Sequence, residues 1–208
     1  MEKAVNQNEI FDEKKSLETI RATIETTKKL LKDDGLLLVC WGFVFSISNF
    51  WKYYEASVLT VWWTRNLMHI LQIVLGIGVI GLTAYFIFFR KKKATTYTAI
   101  STRFIWIGVI IAHNMVVLIT KNILSDVNFA LLQPLQLVLI GFALFISGGI
   151  YRYYLLSASG IIMWAAAVTA ASFQLNDQFL IRAVAEVVCF IIPGILMYTS
   201  ATKSPAHV

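Results

Sequence analysis

The chain has 208 residues, a formal net charge of +6, 58 % hydrophobic composition and a mean hydropathy of +0.69. Soluble domains are about 45–50 % apolar, so this composition excludes an ordinary soluble globule and points to a membrane protein. The apolar runs are continuous and lack two-residue alternation, which argues against a β-barrel.

Residues 1–34 are polar and lack the apolar core of a cleavable signal peptide. Within them Leu17, Ile20, Ile24 and Leu31 recur at helical spacing, with Leu30 beside the last, and predict an amphipathic helix. Ser16 is its expected N-cap and Gly35 its break before the first span. Such a helix can lie on the inner membrane surface with Lys28, Lys29 and Lys32 facing headgroups. The same four positions also fit a short heptad seam with Thr27 as its polar gap, suited to docking a cytoplasmic protein or a second copy.

Six apolar runs follow: Leu36 to Trp51, Met68 to Phe89, Phe104 to Thr120, Phe129 to Ile150, Leu155 to Leu175, and Phe179 to Tyr198. Each approaches or exceeds the roughly 17–25 residues that cross a hydrocarbon core. The expected fold is all-α, a polytopic transmembrane bundle of six spans over residues 35–200, preceded by a cytoplasmic amphipathic helix and followed by a short cytoplasmic tail, 201–208.

The first run is short, but Phe50, Trp51, Tyr53 and Tyr54 extend it into the interface, and Trp62 and Trp63 continue that aromatic belt. In the second run Gly78, Gly81 and Ala84 recur every three residues, with Gly76 nearby, giving a small-residue side suited to contact inside the bundle or within a homo-oligomer. The RKKK cluster at 90–93 reads as a stop-transfer signal facing anionic lipid and not as a nucleic-acid site. Only YRYY separates the fourth and fifth runs and only NDQ the fifth and sixth, so these helices are expected to be antiparallel neighbours. Pro134 and Pro193 are expected to kink the fourth and sixth spans.

With the N-terminus in the cytoplasm, only Lys52, Arg65, Lys121 and Arg182 of the 18 Lys and Arg fall outside. The positive-inside rule therefore places both termini in the cytoplasm. Segments 42–54 and 141–154 share Gly-Phe, Ile-Ser and a basic residue before Tyr-Tyr, allowing one insertion, in spans that would cross in opposite directions. That is the pattern of an inverted repeat.

The sixth run carries Arg182 and Glu186. An ionisable group at mid-membrane costs about 2.5–3.5 kcal/mol while each large aliphatic residue returns about 0.3–0.6, so the pair must be compensated. Four residues apart, the two side chains share a face. His113 and Asn114 in the third run, His69 in the second, and Gln133 and Gln136 in the fourth are candidates to meet them in the outer half of the bundle. Such residues serve either as hydrogen-bonding links between helices or as the lining of a ligand or proton path.

Cys40 and Cys189 both fall within membrane runs and suggest neither a disulfide framework nor a zinc site. There is no HExxH, GxSxG, Walker loop or dinucleotide fingerprint, so no catalytic residue, metal or cofactor is expected and the chain is not read as an enzyme.

The polar N-terminal helix, the Trp41-Gly42 pair, the Lys-rich second loop, and the final DQ…IIPG, Asp177-Gln178 and Ile191 to Gly194, resemble small six-span bacterial inner-membrane proteins. Those proteins are uncharacterised and encoded near small winged-helix regulators. The resemblance covers nearly the full length and implies a bacterial inner-membrane location and this topology. They carry apolar residues at the positions of Arg182 and Glu186, so the resemblance implies no role for that pair.

Two functions fit these features. One is a non-enzymatic sensor of a membrane or small-molecule signal, or a partner-binding protein, reporting through the N-terminal helix. The other is a small transporter or channel protomer with its polar site in the outer half of the bundle. The lipid bilayer is a partner in both, and neither calls for nucleic acid.

Overall fold

The computed structural model describes residues 32–58, 62–85, 97–124 and 128–202. The amphipathic stripe of Leu17, Ile20, Ile24 and Leu31 and the RKKK cluster lie outside the described residues. Six helices are long and apolar enough to cross a membrane. They comprise α1 (Lys32–Ser57), α2 (Trp62–Ala84), α3 (Tyr97–Leu124), α4 (Phe129–Tyr151), α5 (Tyr154–Ala171) and a last span built from α6 (Leu175–Glu186), a π-helical turn (Val187–Ile191) and α7 (Ile192–Thr202). The protein is an all-α bundle of multi-pass membrane type.

Short connections fix the pairing of the second half. Asn128 caps α4, its side chain accepting from the Leu131 amide at 3.1 Å. At the other end Arg152 adopts the left-handed conformation, φ 53°, and Arg152 and Tyr153 donate to the carbonyls of Gly149 and Gly148. This turn satisfies the free carbonyls of α4 and reverses the chain within two residues. Between α4 and α5, the Trp164 indole donates to the Val138 carbonyl at 3.2 Å and packs edge-on to Phe142.

The apolar core lies where α4, α5 and the last span meet, around Leu137, Leu144, Met163, Ala167, Cys189 and Phe190. By contrast α2 contains no buried residue. Ile70, Ile73, Ile77 and Ile80 of α2 and Ile107, Ile111 and Leu118 of α3 are exposed, as apolar side chains in contact with lipid would be. Gly76, Gly78 and Gly81 have nothing within reach of an added Cβ, so the small-residue side of α2 makes no close contact inside the bundle among the described residues.

The first and last spans pack antiparallel along their whole length. Gly35 faces Gly194, Gly42 faces Phe190 and Ile191, Asn49 meets Glu186, and Ser57 meets Asn176. The contacts recur about every seven residues on α1, two helical turns, which keeps one face of the helix on the seam. Close approach requires glycine here: a Cβ on Gly194 would stand 2.8 Å from the Gly35 carbonyl oxygen, and one on Gly35 equally close to the Gly194 oxygen. Both termini of the described chain therefore lie at one end of the bundle, and Ser57 and Asn176 lie at the opposite end.

Pro134 is accommodated inside a continuous α4, close to its start. Pro193 follows the π turn after one residue, Ile192, and the slipped register of the turn gives Ile192 N–H to Val187 O in place of the usual four-residue bond. A proline cannot donate and crowds the preceding turn. One wider turn ahead of it relieves that crowding and re-aims the residues before it, and such turns occur often at functional sites.

Candidate functional site

Arg182 and Glu186 are the centre of a polar cluster formed by three helices. Glu186 is fully buried, and its carboxylate accepts from Arg182 Nε at 2.8 Å and from Asn49 Nδ2 at 2.8 Å. Arg182 Nη1 donates to Gln133 Oε1 at 2.6 Å and to Gln136 Oε1. Gln133 and Gln136 sit three residues apart on α4 and so present both amides to the same side. Asn49 of α1 also donates to the Phe45 carbonyl one turn earlier, which holds its amide toward the last span.

Each charge is thus compensated by the other and by neutral groups oriented correctly, carbonyl oxygens toward the guanidinium and an amide N–H toward the carboxylate. That is what a low-dielectric interior requires before it can hold two ions. Glu186 lies roughly 16 Å along the helix axis from the start of α6, by a rise of about 1.5 Å per residue. It is the last residue of α6 before the π turn, so the bond between α1 and the last span falls where helical register changes.

Beside this cluster is a cavity of about 380 Å³ between α1, α4 and α6. Ser48, Asn49, Lys52, Gln133, Gln136 and Arg182 supply its polar wall, and Phe45, Phe129, Leu175 and Phe179 its apolar wall. The space is a half-open cleft with polar groups on one wall and aromatic and aliphatic side chains on the other. Lys52 Nζ stands 5.5 Å over the Phe179 ring, within electrostatic range of Arg182 and Glu186. Arg182 reaches the same cavity with a side chain 11 % exposed, its Nη2 making no hydrogen bond among the described residues.

The structure gathers Arg182, Glu186, Gln133 and Gln136 in one hydrogen-bonded network, leaves His113 nearby but outside it, and puts Asn114 and His69 elsewhere. His113 of α3 is half-buried and near enough to feel the Arg182 charge, but it makes no hydrogen bond among the described residues. Asn114 is exposed and donates to the Ile110 carbonyl of its own helix at 2.7 Å. His69 stands 3.7 Å from Glu55, which pairs with Arg65 at 2.7 Å in a separate link between α1 and α2. Sequence reasoning missed Asn49 and Lys52. A lone Asn in the first run and a Lys close after it were the available signal, but only the pairing of first and last spans brings them to Glu186.

A second cavity, about 480 Å³, opens between α1, α2 and the π turn and is almost wholly apolar, with Phe43, Phe50, Trp51, Leu71 and Ile191 on its walls. At the end of the bundle that holds the termini, Tyr151 OH donates to the Asp34 carboxylate and ties α1 to α4. Among the described residues no three His, Cys, Asp or Glu side chains converge as metal ligands would, and Cys40 and Cys189 are unpaired. No protein-family model, curated protein or solved structure matches the chain.

Proposed function

We propose that the protein is a non-enzymatic receptor of the bacterial inner membrane that takes a small molecule into the cleft between α1, α4 and α6 and reports it through the N-terminal segment. With both termini in the cytoplasm, as the distribution of Lys and Arg favours, the cleft lies in the outer half of the bundle. The observation that carries the reading is that α1 belongs to both ends of the signal. It supplies Asn49 and Lys52 to the cleft, and its first residue, Lys32, continues directly from the amphipathic segment.

Along the way α1 is held by discrete contacts: Trp41 to Thr83 at 3.2 Å, Asn49 to Glu186, and Asp34 to Tyr151. A ligand that draws Lys52 or Asn49 toward itself competes with the α1 contact at Glu186, next to the π turn. The bistable element is the α1 seam, and a ligand shifts it by its differential affinity for the two positions of α1. The absence of any catalytic motif in the sequence supports a binding role.

Locking the seam tests this without a ligand. Ser57 Oγ and Asn176 Nδ2 are 2.8 Å apart, so Ser57→Cys with Asn176→Cys, in a Cys40→Ser, Cys189→Ala background, can be bridged by a short bifunctional thiol reagent. Amide exchange of residues 1–31 should differ between the cross-linked and free forms in nanodiscs. Identical exchange would contradict coupling between cleft and N-terminal segment.

A transporter is the second reading, favoured by one observation: a buried ion pair stands directly before a π turn in a membrane-spanning helix. Deleting residues 1–31 separates the two, because transport survives the deletion and signalling does not.

A further inference from the structure

Resting on the ligand cleft just described, we propose that its ligand is an amphipathic monoanion, a carboxylate or phosphodiester group attached to an apolar body, held by Lys52 and Arg182. The charges on the cavity wall carry this. Two cations, Lys52 and Arg182, line it, whereas the carboxylate paired with Arg182, Glu186, is fully buried and already accepts from Arg182 Nε and Asn49 Nδ2. Among the described residues Lys52 makes no salt bridge; it is exposed, lies over the face of Phe179 and feels Glu186 only at longer electrostatic range. Lys52, Arg182 and Glu186 together carry a formal charge of +1 beside a space of about 380 Å³.

Unused hydrogen-bond donors point to the same class. Arg182 spends Nε and Nη1 on Glu186 and the two glutamines, leaving Nη2, and the Lys52 ammonium keeps its donors. Both glutamines turn their carbonyl oxygens to Arg182 and so present amide N–H groups elsewhere, one more supply of donors to an anion. Phe45, Phe129, Leu175 and Phe179 provide the apolar surface against which the ligand's body packs. A cationic ligand would meet two like charges, and a neutral one would draw nothing from the net positive charge of the wall.

The anion could be a soluble molecule or the headgroup of an anionic lipid, and the bilayer composition separates the two. Full-length protein in phosphatidylcholine nanodiscs is titrated with 3-phenylpropionate, 3-phenylpropanol and phenethylammonium, following the unfolding temperature, which a ligand of the native state raises. The same protein is compared in discs with and without phosphatidylglycerol. Stabilisation by phenylpropionate marks a soluble anion, and stabilisation only by phosphatidylglycerol marks a lipid headgroup. In either case Lys52→Gln should weaken binding about tenfold or more, and Lys52→Arg should restore most of it while the Arg182 and Glu186 pair stays intact.

Equal or greater stabilisation by phenethylammonium, or an anion response that Lys52→Gln leaves unchanged, would overturn the assignment. So would no shift with any of these anions. The receptor reading would still stand in those cases, because its own failure is read separately, as amide exchange in residues 1–31 that ignores the seam cross-link.

Discussion

Arg182 is worth more to the fold as the partner of Glu186 than as a charge in its own right. Arg182→Met leaves a fully buried carboxylate with Asn49 alone and should cost about 3–5 kcal/mol. Replacing both ions, Arg182→Met with Glu186→Leu, should be less damaging than the single change, a coupling that unfolding of the four proteins of the cycle in nanodiscs would reveal. Strict additivity would mean that the two side chains do not interact. Asn49→Leu removes one of the two donors to the carboxylate and should cost about 1–2 kcal/mol by the same measurement. The i, i+4 spacing of Arg182 and Glu186 was legible in the sequence because it is local. Their third partner was not, since nothing in the spacing of residues says which two of six apolar helices touch.

Among the elements, α1 and the last span show what periodicity can and cannot give. Six runs were visible as runs, although α1 extends to Lys32 and Ser57, past both ends of its apolar stretch, because polar Asp34 and Ser57 find partners in Tyr151 and Asn176. The proline of IIPG drew attention to the right place, but the π turn ahead of it depends on how backbone bonds slip around a residue that cannot donate. Glycines separate into two kinds that composition does not distinguish. Gly194→Ala puts a methyl against the Gly35 carbonyl and should destabilise by about 1–3 kcal/mol. Gly78→Ala meets open space and should lie within about 1 kcal/mol of the parent, on the stabilising side because alanine is the better helix former. Thermal unfolding of the two variants side by side checks the contrast; equal losses would mean that α1 and the last span are not in close contact. The matching segments 42–54 and 141–154 make unlike contacts, Gly42 against the last span and Gly141 against Trp164 of α5, so their similarity does not extend to their packing.

At the scale of the molecule, the core built on α4, α5 and the last span forms one wall, and α1 packs along it with α2 attached by Trp41–Thr83 and Arg65–Glu55. The cleft forms at the boundary between that wall and α1, which is why its polar lining comes from residues far apart in the chain. The proposed receptor role requires water and anions to reach Ser48 and Lys52, which line the cleft, while Cys189, three residues beyond Glu186, is buried in the core. The most direct measurement is thiol modification in nanodiscs, using Ser48→Cys in a Cys40→Ser background, with an anionic and a cationic methanethiosulfonate of similar size. The account predicts that the introduced cysteine reacts, faster with the anionic reagent after correction for each reagent's rate with a free thiol, and that Cys189 reacts only after denaturation. An unreactive Ser48→Cys thiol that becomes reactive on denaturation, or a preference for the cationic reagent, would contradict it.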